Sequence, residues 1–165
     1  MYLLDTGIVL ELRKARAGGT DPGLAGWAAG VDRQDLFLSA FTLIELDAAA
    51  ARLARSDKAA GAALAAWIDA QVMTAFEGRI LPVDAAVARR RGQLAIAEPR
   101  DALLAATALT HGLVVVTRTP AAFKAARVKT FNPWGWHPDA AEEDADWRQA
   151  ARTGPLWLRN LFVRA

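Results

Sequence analysis

The feature that most constrains this chain is an alternation: short apolar runs, each followed by a stretch with helical spacing. Tyr2 to Leu4 is the first run, and Gly7 to Lys14 then carries Ile8, Val9 and Leu12 at helical intervals. Leu36 to Ser39 is the second. The stretch Phe41 to Arg55 after it predicts a helix with Leu43, Ile44, Ala48, Ala51 and Leu53 on a broad apolar face. Ile80 to Val83 reads as a third strand, with Asp84 placed to cap a helix over Ala85 to Ala97 before Pro99 interrupts it. A helix over Arg100 to Thr110, stopped at Gly112, leads into Leu113 to Thr117, the most strand-like segment of all. Val128 to Phe131 adds a last strand. Strand followed by helix, repeated along the chain, predicts an α/β fold: a central, mostly parallel sheet flanked by helices and buried on both faces.

Two further segments read as helical. A glycine-rich loop from Ala17 to Pro22 precedes a short helix at Leu24 to Ala29, packed through Leu24 and Trp27. Lys58 to Glu77 is rich in alanine and predicts one helix, with Leu64, Trp67, Ile68 and Val72 near one face and Gly78 as its stop. After Asn132-Pro133 the character changes. Trp134, Trp136, Trp147 and Trp157, four of the six tryptophans, lie in the remaining tail beside the acidic run Glu142 to Asp146. The chain therefore divides into a domain over residues 1–134 and a tryptophan-rich extension over 135–165, expected to pack as a satellite core. With Arg148, Arg152 and Arg159, the extension is also a candidate cover for the acidic groove described next.

Composition narrows the chemistry by exclusion. A length of 165 residues suits one hydrophobic core. Without cysteine there is no disulfide framework, thiolate nucleophile or cysteine zinc site. His111 and His137 lack ligand spacing, Ser39 and Ser56 lack a nucleophile-elbow setting, and Asp5-Thr6-Gly7 supplies one glycine where a dinucleotide fingerprint needs several. A net charge of +2 permits a nucleic-acid partner without requiring one. Met1 to Asp5 holds neither a basic flank nor a long apolar run, so a cytoplasmic protein with no membrane association is expected.

What remains is carboxylate chemistry. In a parallel α/β sheet, ligands collect beyond the carboxyl ends of the strands, and Asp5 sits at such an end. Glu45 lies about one turn into the second strand's helix, and helical side chains lean toward the N-terminus, which aims its carboxylate at the same edge. Asp101 begins the helix after Pro99, where the positive end of the helix dipole favours an ionised acid. Three gathered carboxylates repel one another unless a cation neutralises them, and hard oxygen ligands suit magnesium or manganese. Such an ion activates water and steadies charge on a phosphoryl group, so phosphodiester hydrolysis is the expected reaction. Taken singly, each acid has a plainer reading: Asp5 as a turn or cap residue, Glu45 as a solvated helix charge, Asp101 as a dipole partner. Asp84 reads as a cap and not as a ligand. Glu11, Arg13 and Lys14 read first as exposed helix charges.

Leu3-Leu4-Asp5-Thr6, Ile44-Glu45-Leu46, Asp101 to Ala108 and Val115-Val116-Thr117-Arg118, in this order and spacing, resemble the VapC and FitB-like toxins of the PIN superfamily. The resemblance runs from Met1 to about Trp134. It implies a PIN-like three-layer sandwich and an Mg2+- or Mn2+-dependent endoribonuclease, held by a small VapB-like antitoxin and commonly a homodimer. Matched position by position, Asp5, Glu45 and Asp101 are its metal-binding and catalytic acids. Thr6 and Thr117 match hydroxyls lining the site, and Arg118 follows Thr117 as it often does there. The chain departs from the pattern at Gly7, where asparagine or serine is usual, and at Thr119 and Ala122, where the family carries further acids. Glu98 is a weak substitute for the missing fourth acid. The alternative these departures raise is a catalytically impaired PIN-like protein that binds an antitoxin or RNA without cutting.

Overall fold

The computed structural model describes residues 1–15 and 18–137. Five strands, β1 (Tyr2–Leu4), β2 (Leu36–Ser39), β3 (Ile80–Leu81), β4 (Val114–Val116) and β5 (Thr130–Phe131), form one sheet in the order β3-β2-β1-β4-β5. All four pairings are parallel, with Leu3 opposite Phe37 on one side and Val115 on the other. The chain thus builds outward from β1 through β2 to β3, then returns to the far side of β1 for β4 and β5. This reversal opens a crevice between the carboxyl ends of β1 and β4.

Strand alternation distributes the apolar side chains between two cores. Leu4, Leu36, Leu38 and Val116 enter one cluster, under helices α1 (Thr6–Lys14), α2 (Pro22–Gly30), α3 (Ala40–Ser56) and α4 (Lys58–Trp67). Leu3 and Val115 enter the other, with Ala102, Leu104, Ala105 and Ala108 of α7 (Pro99–His111) and Phe123. A strand clad on both faces needs apolar residues at consecutive positions, which is why these runs are continuous and not alternating. Each fully buried leucine contributes about 1.5–3 kcal/mol.

Local chemistry sets most boundaries. Asp5, Asp21, Ser39, Asp57, Asp84 and Glu98 each cap a helix by accepting from a backbone N–H in its first turn. Gly112 ends α7 at φ +67, a left-handed conformation that a side chain would strain.

Three expectations are corrected. The buried stripe of α3 is Thr42, Leu46 and Ala50, while Ile44 is 61% exposed. Ser39 caps this helix directly from β2, and that entry rotates the face away from the richest apolar positions. The helix expected over 58–77 breaks into α4, a π-turn at Ile68–Val72 and α5 (Met73–Ala75). The wider turn adds a residue within the run, and Ile68, Val72, Ala75 and Phe76 on and after it are all buried. Helix α6 (Ala85–Gly92) stops at Gly92, short of Ala97, and Ile96 in the loop that follows is buried instead.

Trp134 and Trp136 pack against the first core. A Cβ on Gly23 would lie 2.6 Å from the Trp136 backbone nitrogen, so α2 receives the segment at 133–136 at close range. Trp147, Trp157, Arg148, Arg152, Arg159 and the acidic run Glu142 to Asp146 lie outside the described residues. Among the described residues, no helix is long and apolar enough to cross a membrane.

Candidate functional site

The crevice between β1 and β4 is closed at its floor by backbone pairing, the Asp5 N–H donating to Val116 O at 3.0 Å. Above it, Asp5 uses both carboxylate oxygens. Oδ1 accepts from the Gly7 N–H at 3.2 Å, and Oδ2 accepts from Thr117 Oγ1 at 2.8 Å. Asp5 is therefore a helix cap and a cross-strand tie at once, and the plain and functional readings of it coincide. Because its first-turn donor is a backbone N–H, the glycine at position 7 costs Asp5 none of this support. A Cβ there would meet nothing within 4 Å.

Glu45 is brought to the same edge by the direction of α3. Its Oε2 accepts from Thr6 Oγ1, and its Oε1 accepts from Arg100 Nε. Thr6 and Thr117 are both buried, so the two hydroxyls are fixed donors beneath the two acids. Thr117 Oγ1 also accepts from the Thr119 N–H at 3.1 Å and stands 3.3 Å from Thr119 Oγ1. A hydroxyl thus occupies the position where the resemblance anticipates an acid.

Asp101 stands in the first turn of α7. Its carboxyl is pushed above the ordinary range, first by burial and then by the charges of Asp5 and Glu98, with Glu45 adding and Arg100 opposing. The four acids therefore share one electrostatic neighbourhood. As placed, no three of the His, Asp and Glu side chains among the described residues are gathered into a chelating group. Both Glu45 oxygens are already engaged. The donor set nonetheless fits a hard divalent cation: carboxylates on converging elements, mutual repulsion that raises the proton affinity of Asp101, and a positive group already drawn onto Glu45.

Arg118 lies outside this group of contacts. Its exposed guanidinium stacks 5.2 Å from the ring centroid of Trp134. Glu98 accepts from the Arg100 N–H at 3.4 Å as the cap of α7. Lys14 pairs with Glu11 at 2.9 Å, and Arg13 stacks over Trp67, so these first-helix charges have structural partners. The residue that sequence reasoning passed over is Arg100. Its signal was an arginine in the first turn of a helix, where the macrodipole disfavours a cation.

A parallel α/β domain with acids converging at its strand-order reversal is the class that fold and site define. The family model of the PIN domain matches residues 2–128, and the chain belongs to that family. Among curated relatives, the VapC ribonuclease Y4jK of Sinorhizobium fredii is 31% identical over 145 residues, covering 81% of this chain and 98% of that protein. Toxin FitB of Neisseria gonorrhoeae is 33% identical over 142 residues, covering 81% and 99%. Among solved structures, the crystal structure of FitAcB from Neisseria gonorrhoeae superposes with a TM-score of 0.73 at 32% identity, covering 81% of this chain and 99% of the other.

Proposed function

We propose that this protein is a magnesium- or manganese-dependent endoribonuclease, the toxin of a VapBC-like toxin–antitoxin pair. The observation that carries the reading is the placement of Asp5 and Glu45, held by the buried hydroxyls of Thr117 and Thr6, with Asp101 near enough for their charges to raise its carboxyl. Relatives named VapC ribonuclease and Toxin FitB, matched over nearly their whole length, support the same activity.

On this reading Asp5, Glu45 and Asp101 would hold the ion. Bound there, it would lower the pKa of a water and neutralise charge on the phosphoryl group. The remaining work belongs to the chain. Thr117 and the Gly7 N–H hold the Asp5 carboxylate at a fixed angle, and Thr6 holds Glu45 from below. The α7 N-terminus places its positive dipole end beside Asp101, toward the anionic substrate. Arg118, exposed and stacked on Trp134, would be available to the RNA backbone. The partners this reading carries are an RNA substrate, a VapB-like antitoxin and a second copy of the chain.

The test is digestion of total RNA by purified, partner-free protein with Mg2+ or Mn2+, beside Asp5→Ala and EDTA controls and a DNA substrate. Discrete RNA fragments that vanish in both controls are expected. Intact RNA after incubation with folded wild-type protein would favour the binding-only alternative, which Thr119 and Ala122 motivate.

A further inference from the structure

Arg100 is in an unfavourable place for a cation unless something holds it there. It occupies the first turn of α7, where the helix dipole opposes positive charge, and its side chain is 62% exposed, whereas that of Glu45 is 15% exposed. An isolated pair so open to solvent contributes little. Its guanidinium nevertheless reaches across 55 residues of sequence to Glu45 Oε1, and the charges of Asp5 and Asp101 act on it as well. Thr6 takes the other Glu45 oxygen. Both Glu45 oxygens are therefore engaged, one of them by a positive charge.

We infer that Arg100 is a positioning residue for the cation centre: a tethered positive charge that occupies Glu45 and holds the acids together until a divalent ion displaces it. The inference rests on the cation reading of the site given above. An ion on Glu45 would face the positive charge of Arg100 on the same carboxylate, so the two compete for it. The apparent affinity for the ion is then reduced by the fraction of molecules in which Glu45 is free. Arg100 thereby sets the ion concentration at which the site fills, and it spares the empty site from unrelieved repulsion.

The experiment measures Mn2+ binding by isothermal titration calorimetry and thermal unfolding with and without Mn2+, on full-length wild type, Arg100→Gln and Arg100→Lys. Circular dichroism checks that each variant is folded. Arg100→Gln is expected to bind Mn2+ about three- to tenfold more tightly. It should also melt lower than wild type in EDTA, with a larger Mn2+-induced rise. Arg100→Lys keeps the charge and should fall between the two, and it serves as the test variant should Arg100→Gln not fold. An arginine with a purely structural role would lower both melting temperatures equally, and that result overturns the inference. Equal or weaker Mn2+ binding by Arg100→Gln, with wild type binding normally, overturns it while leaving the cation reading intact. Binding by none of the three proteins removes both.

Discussion

The two ends of the sheet handle charge in opposite ways. At the amino end, Arg79 lies immediately before β3, 7% exposed, and donates to the carbonyl oxygens of Arg33, Ala75 and, at 2.7 Å, Leu36. Arg33 donates beside it, to Ala75 O at 3.0 Å and Thr74 O at 2.9 Å, although the two positive charges oppose each other. A buried cation is tolerated there because the carbonyls leaving α5 and entering β2 surround it. At the carboxyl end, Asp5, Glu45 and Asp101 share a neighbourhood in which one exposed arginine and two hydroxyls are the recorded side-chain partners. The first arrangement offsets burial and the Arg33 charge with carbonyl acceptors from the fold itself, and stabilises the fold. The second retains repulsion, which is useful only where a ligand relieves it.

The largest expected effect comes from removing one charge at the carboxyl end without disturbing its geometry. Asparagine caps helices as well as aspartate, so Asp5→Asn should keep α1 in place and leave the melting temperature unchanged or higher. RNA cleavage should nonetheless fall by at least about 100-fold. Retention of cleavage would break the comparison at its functional side.

Arg79→Met should do the reverse. Stripping the donors from buried carbonyls is expected to cost about 3 kcal/mol in urea unfolding, while cleavage per folded molecule stays as in wild type. A loss under about 1 kcal/mol would show that the amino end is not the stabilising one.

The smallest effect concerns pH. The Asp101 carboxyl titrates above its ordinary range in the folded protein, chiefly through burial, so the folded state holds its proton longer than the unfolded chain. The contribution of this group to stability is then greatest below the ordinary carboxylate range. It declines as pH rises through the interval between that range and the raised folded value. In EDTA, unfolding curves of wild type and Asp101→Asn should therefore diverge as pH climbs from about 4, with the variant gaining on wild type. Parallel curves would place the repulsion elsewhere.

Much of this contrast is readable before any fold is seen. The run Leu36 to Ser39 is a strand to the residue, Asp84 caps where its neighbours predict, and Asp5 follows β1 directly as the cap of α1. These features depend on chain-local rules: period, capping chemistry and strand-helix alternation. What was not legible depends on contacts between distant elements. The buried face of α3 follows from its entry angle off β2, so Ile44 was misjudged as core. The π-turn at Ile68–Val72 interrupts a stretch whose alanine-rich composition favours one continuous helix. Arg100 meets Glu45 only because α7 and α3 begin at the same edge, although its position in a helical first turn was a clue available from the start.

The claim that the carboxyl end is a cation site is tested most directly by anomalous diffraction from crystals of the full chain grown with Mn2+. The account predicts one strong manganese peak bounded by the Asp5, Glu45 and Asp101 carboxylates, with the Arg100 guanidinium moved off Glu45. A peak bound elsewhere, or none at saturating Mn2+ with Arg100 still paired to Glu45, would contradict it.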